Sequence, residues 1–196
     1  MSFETYAKFT KADSPITLKN VTNTPDADLI KQGQDDGVTP PNQPSKWPAK
    51  SGWWRCLLWN YSAAANFNAN AGVSTGNITD TFCTVLKYQG EASAYMYRAM
   101  FTRSVFNLEI NVTEKLGNGE NVMNSSFKFS NCVFTKMASA TGNPLNVLAN
   151  GGTTSTTVEY TGSDTKELDV FTIVYQSVLL NTFGKEATAS LMGKTK

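Results

Sequence analysis

The sequence predicts a mainly β protein, an antiparallel β-barrel or tight two-sheet sandwich with one α-helix at about residues 91–103. Three observations predict it. Several runs alternate apolar and polar residues with the two-residue period of a strand, and one stretch carries the helical period instead. Polarity comes from Asn, Thr and Ser more than from charge: charged residues are 17% of the 196, below the roughly 25% of ordinary soluble domains. The order of elements is strand, strand, loop, strand, strand, helix, strand, strand, loop, strand. An antiparallel sheet that closes on itself accommodates that order most economically. The length suits one domain over 1–196, with enough chain to bury a core unaided.

The opening strand places Phe3, Thr5, Ala7 and Phe9 on one face and Glu4, Tyr6 and Lys8 on the other. A second extended piece is expected at 15–19. The stretch 23–51 holds Pro25, Pro40, Pro41, Pro44 and Pro48 around Asp35-Asp36-Gly37. Proline removes backbone donors and Asp and Gly favour turns, so this reads as a long surface loop or insertion. From 53 to 67, Trp53, Arg55, Leu57, Trp59 and Tyr61 alternate with Trp54, Cys56, Leu58 and Asn60. Both faces are largely apolar, which implies burial on two sides or a subunit contact. Trp53, Trp54, Leu57 and Trp59 are therefore the candidate subunit-interface residues. The segment 63–76 is small and uncharged. It cannot build a core alone and would suit an extension that docks on a neighbour.

A strand at 77–88 follows, and then the period changes. Ala92, Tyr95, Met96, Ala99 and Met100 fit one helical face. That Met and aromatic stripe reads as core packing. At 105–115, Phe106, Leu108, Ile110 and Val112 point inward against Asn107, Glu109, Asn111 and Thr113. Gly117-Asn118-Gly119 supplies a turn, and 122–137 pairs back as a hairpin. Its parity becomes ambiguous at Asn131-Cys132-Val133-Phe134, which predicts a bulge. A second Thr/Gly/Ser-rich insertion is expected at 142–166, with a short strand at 156–160. The last strand spans 168–180, ahead of a polar tail at 184–196.

The same counts exclude several functions. There is no histidine, so no Ser–His or Cys–His pair and no histidine-ligated zinc. Cys56, Cys83 and Cys132 are far apart in sequence, with no C-x-x-C pair, and suit buried thiols in a reducing compartment. A formal net charge of +1 argues against nucleic acid as a partner. Asp26, Asp28, Asp35 and Asp36 lack the Gly and distal Glu spacing of a calcium loop, so no metal is assigned. No Gly-rich loop opens a helix, and no Gly-x-Ser-x-Gly elbow exists. No catalytic residue, cofactor or metal is therefore expected, and the chain reads as non-enzymatic. Met1-Ser2-Phe3-Glu4-Thr5 lacks the basic start of a signal peptide, and no run approaches the ~20 apolar residues of a membrane helix.

Several stretches resemble the haemolysin-coregulated protein (Hcp) family, the inner-tube subunits of bacterial type VI secretion systems. The resemblance lies in Gly76-Asn77-Ile78-Thr79-Asp80-Thr81-Phe82-Cys83-Thr84-Val85-Leu86-Lys87-Tyr88 followed by Glu91-Ala92-Ser93. There, a strand ending in Lys-Tyr leads through an acidic residue and Ala-Ser into the single helix. Trp59-Asn60-Tyr61 is similar to the family's aromatic strand that runs into a long loop, and Tyr6-Ala7-Lys8-Phe9 to its opening strand. The insertions 23–51 and 142–166 depart from the pattern.

The resemblance implies a homo-hexameric ring of barrel protomers, stacked into a tube that a contractile sheath on a baseplate propels. It implies a valine–glycine repeat spike protein at the tip and effector proteins carried in the lumen. It also implies a chain held in the bacterial cytoplasm before firing and then delivered outward. In that frame Asn66, Phe67, Asn68, Ala69, Asn70, Gly72 and Ser74 become the candidate ring-stacking loop. Two other readings stand beside it: a phage-like contractile tail-tube subunit, and a non-catalytic β-sandwich binding module using Trp53 and Trp54 as a sugar platform.

Overall fold

A computed structural model describes residues 2–12, 27–32, 53–68, 73–90, 92–115, 121–142, 166–182 and 185–190. The extended piece expected at 15–19 and the short strand expected at 156–160 lie outside them. The elements are β1 (Ser2–Lys11), α1 (Ala27–Gln32), β2 (Trp54–Asn68), β3 (Val73–Tyr88), α2 (Ala92–Thr102), β4 (Phe106–Lys115), β5 (Asn121–Gly142), β6 (Lys166–Val174), β7 (Ser177–Thr182) and β8 (Lys185–Ser190).

All pairings are antiparallel, in the order β4-β1-β2-β3-β6-β5-β7-β8, and β4 also pairs with β5. That extra pairing closes six strands into a barrel, which removes most of the edge a flat sheet would expose. The predicted class, barrel plus one long helix, is the observed one. Two details differ. The segment expected as a plain loop at 23–51 contains α1, whose Leu29 is buried and which packs on α2 and β1. The tail expected to be merely polar contains β8, which pairs with β7 from Thr182↔Lys185 to Ser177↔Ser190.

The interior is aromatic. Phe9 stands at its centre, with ring centroids 5.4 Å from Trp54, 5.3 Å from Phe106 and 5.9 Å from both Phe134 and Phe171. The alternating β4 residues Phe106, Leu108 and Ile110 enter the same core, as predicted from their parity. Met96, Ala92 and Ala99 of α2 are also part of it, so the helical stripe is packing.

Two of the register irregularities bear on the predicted faces. At Asn131 of β5 the backbone takes φ 55°, a left-handed value that Asn tolerates better than most residues. The Asn131 backbone N–H donates to the Asn107 side-chain oxygen at 2.9 Å, while the Asn107 amide donates to the Lys11 carbonyl at 3.1 Å. The Asn131 amide in turn donates to Gln176. β5 pairs with β7 up to Ser130 and with β4 up to Cys132; from Val133 onward it pairs with β6. The bulge expected at 131–134 is thus the corner where one long strand changes neighbours. The second irregularity is in β2. Cys56 pairs with Lys87 and Leu58 with Leu86, so Leu57 is an extra residue. Trp54 and Cys56 face the core before it, and Trp59 packs on the core after it.

Candidate functional site

The bulge at Leu57 explains why β2 looks apolar on both faces. Its inward parity changes from even to odd residues, so inward and outward positions mix along any one sequence register. Leu57 and Leu58 pack with buried Leu86, Leu168 and Val170 in a separate cluster. Trp54 is 1% exposed and lies 6.0 Å from Phe171, ring to ring. Trp53 is 2% exposed, clusters with Tyr6, and carries Lys8 Nζ 4.5 Å from its ring centre. Lys8 also pairs with Glu109 at 3.0 Å. Both Trp53 and Trp54 are filled by the chain's own packing and present no ring face to a sugar. Leu57 and Trp59, half-buried, are the two candidate interface residues that keep exposed surface.

Trp59 opens an aromatic group at one stretch of the barrel wall. It stacks on Tyr61 at 6.0 Å and meets Phe127 edge-on at 4.6 Å. Tyr61 reaches Phe127 and Phe129, and Phe129 reaches Tyr175 at 4.9 Å. Tyr61 is 39% exposed. Burial, with smaller additions from Cys83 and Tyr61, pushes the Tyr175 hydroxyl up to about 12; the hydroxyl donates to the Ser62 carbonyl at 3.4 Å.

The segment expected as a free docking loop is largely strand. Asn66, Phe67 and Asn68 are in β2 and Ser74 is in β3, with Phe67↔Ser74 and Asn68↔Val73 in register. Ala69, Asn70 and Gly72 lie outside the described residues. Small uncharged residues read as loop because they lack a strand's alternation, yet ladder hydrogen bonds do not require it. The β3 stretch 73–81 pairs only with β2, because β6 takes up β3 from Phe82↔Val174 onward. Beyond β1, whose pairing with β2 is Thr5↔Cys56 to Ala7↔Trp54, β2 too has only β3 beside it. The two strands therefore leave the barrel as a two-stranded ribbon, whereas β7 pairs along its length with β5 and carries β8 on its other edge.

The Lys-Tyr and Ala-Ser motif also finds its place. Lys87 sits across from Asp169, and Asp169 across from Ser139, so the three form a row over β3, β6 and β5. Lys87 and Asp169 are 1% and 0% exposed. Lys87 Nζ donates to the Tyr88 carbonyl at 2.6 Å. Ser93 donates to one Asp169 oxygen, and Ser139 donates to the other at 2.7 Å. Glu91 lies outside the described residues. Sequence reasoning missed Asp169: a single Asp in an apolar strand carried no sign of serines arriving from 76 and 30 residues away.

The three cysteines are buried and free of disulfides. Burial pushes the Cys56, Cys83 and Cys132 thiols up, with Cys83 adding to the other two. Protonated, buried thiols are inert as nucleophiles. Among the described residues no group of three Cys, Asp or Glu could hold a metal ion, and no helix is long and apolar enough to cross a membrane.

The geometry defines a closed antiparallel barrel with a packed interior, the helix α2 against it and the β2–β3 ribbon extended beyond its wall. That is the fold of the Hcp proteins. A crystal structure of an Hcp protein matches with a TM-score of 0.65 at 10% identity, covering 98% of this chain and 99% of that one. Hcp1 from E. coli EAEC 042 gives 0.60 at 12% identity over 97% and 100%. The secreted protein Hcp3 from Pseudomonas aeruginosa gives 0.54 at 7% over 98% and 100%. No family model and no curated protein matches the chain.

Proposed function

We propose that this chain is a non-catalytic structural subunit of a type VI secretion inner tube. It forms hexameric rings that stack into a tube driven by a contractile sheath from a baseplate, with a valine–glycine repeat spike protein at the tip. Effector proteins travel in the lumen, and the subunit passes from the bacterial cytoplasm to the target cell or medium. The observation that carries this is the near-complete, two-way coverage between this chain and Hcp structures at TM-scores up to 0.65.

The surface supports it. A ring of identical subunits needs two different patches that meet head to tail. The half-buried residues Leu57 and Trp59 with exposed Tyr61 offer an apolar patch on β2. The ribbon of β2 and β3 offers unpaired edges of the kind an isolated protein would cover or charge. Between 63 and 79 it carries no charged residue, so contact with a neighbour costs little desolvation of charge. Many copies of a modest contact then give a stable tube through avidity.

Two measurements test this. Light scattering on the purified chain should give a mass of several protomers; a lone protomer at high concentration contradicts the ring. Asn68→Asp puts a charge on the ribbon and should shorten tubes while leaving rings and far-ultraviolet circular dichroism unchanged. Tubes of unaltered length would remove the ribbon from stacking.

A further inference from the structure

The cluster around Asp169 ties α2 to the barrel at a single carboxylate. Asp169 is 0% exposed. One of its oxygens accepts from Ser93 and the other from Ser139. Ser139 shares a second hydrogen bond with the Tyr97 hydroxyl at 3.0 Å. Ser93 and Tyr97 are four residues apart on α2, hence on one face. The helix is thus held at two successive turns, once directly and once through Ser139, by one side chain of β6. Hydrogen bonds to a charged acceptor contribute more than neutral ones, and a buried acceptor left without donors is costly.

The rest of the attachment is apolar. Ala92, Met96 and Ala99 of α2 are fully buried in the core, Tyr95 and Met100 pack against it, and α1 lies beside the helix, so Asp169 supplies its directional hydrogen bonds. Both ends of the helix close on themselves. Gly90 N–H donates to Ser93 Oγ at 3.1 Å while Ser93 N–H donates to the Gly90 carbonyl at 3.0 Å. At the other end Ser104 N–H donates to the Ala99 carbonyl and Arg103 N–H to the Met100 carbonyl, the paired bonds of a Schellman motif. The barrel closes by strand pairing alone, through β4 and β5.

We propose that Asp169 is the latch that seats α2, and that α2 undocks as a unit while the six-stranded barrel stays closed. This conformational device is independent of the tube assignment, since it concerns the protomer. Hydrogen exchange read by mass spectrometry on the full chain tests it. In Asp169→Asn, amides of α2 should exchange at least about tenfold faster, as expected for a low-stability unit opening locally. Amides of β1, β4 and β5 should keep their wild-type protection. Ser139→Ala, which removes only the outer hydroxyl, should give the same pattern at smaller amplitude and guards against a misfolded Asp169→Asn. Unchanged α2 exchange in both variants, or α2 and barrel opening together, overturns the proposal.

Discussion

Arg103 closes α2 with φ 52°, a left-handed conformation in which a side chain with a Cβ is disfavoured and glycine is the usual occupant. Arg103→Gly should therefore stabilise the chain by up to about 1 kcal/mol, read as a higher urea midpoint with an unchanged slope. A lower midpoint would show that the guanidinium contributes more than the strain removes. Nothing in the local sequence marked this residue, because no glycine announced the turn. Asn131 was legible: the parity of the strand became ambiguous beside it, and Asn is a residue that tolerates positive φ. Asp169 was not legible, since its burial depends on Ser93 and Ser139, which only tertiary structure brings near.

Among the elements, β2 shows most clearly how a pattern misleads. Its inward residues are Trp54 and Cys56 before the bulge and Trp59 after it. The slip leaves no polar trace because Leu57 and Leu58 have their own apolar cluster. A strand read without that slip looks two-faced, and a two-faced strand suggests a partner that Trp53 and Trp54 do not need. Inserting one Ala after Leu57 changes the parity once more and drives Trp59 and Tyr61 to the outer face. The expected cost is several kcal/mol, in the range of large core truncations, seen as loss of near-ultraviolet circular dichroism or of soluble protein. An insertion variant with wild-type unfolding would mean that the position of the slip does not fix the inner face. On β1 and β4 the core face was legible where Ala7, Phe9, Phe106, Leu108 and Ile110 alternate, but Phe3, read as inward, is exposed, and Tyr6, Asn107, Asn111 and Thr113, read as outward, are buried.

For the molecule as a whole, the class and the order of elements followed from periodicity, and the closure did not. Pairing of β4 with β5 joins neighbours in sequence, whereas β3 with β6 joins strands separated by the helix and a long hairpin. Local pattern specifies a strand's face but not its distant neighbour. The likeness to Hcp structures is one of fold, and the proposed function adds that this chain acts through contacts with copies of itself. Negative-stain electron microscopy of the purified full chain tests that most directly. The account predicts annular particles with a central opening, built of six protomers; a field of isolated single protomers at high concentration would contradict it.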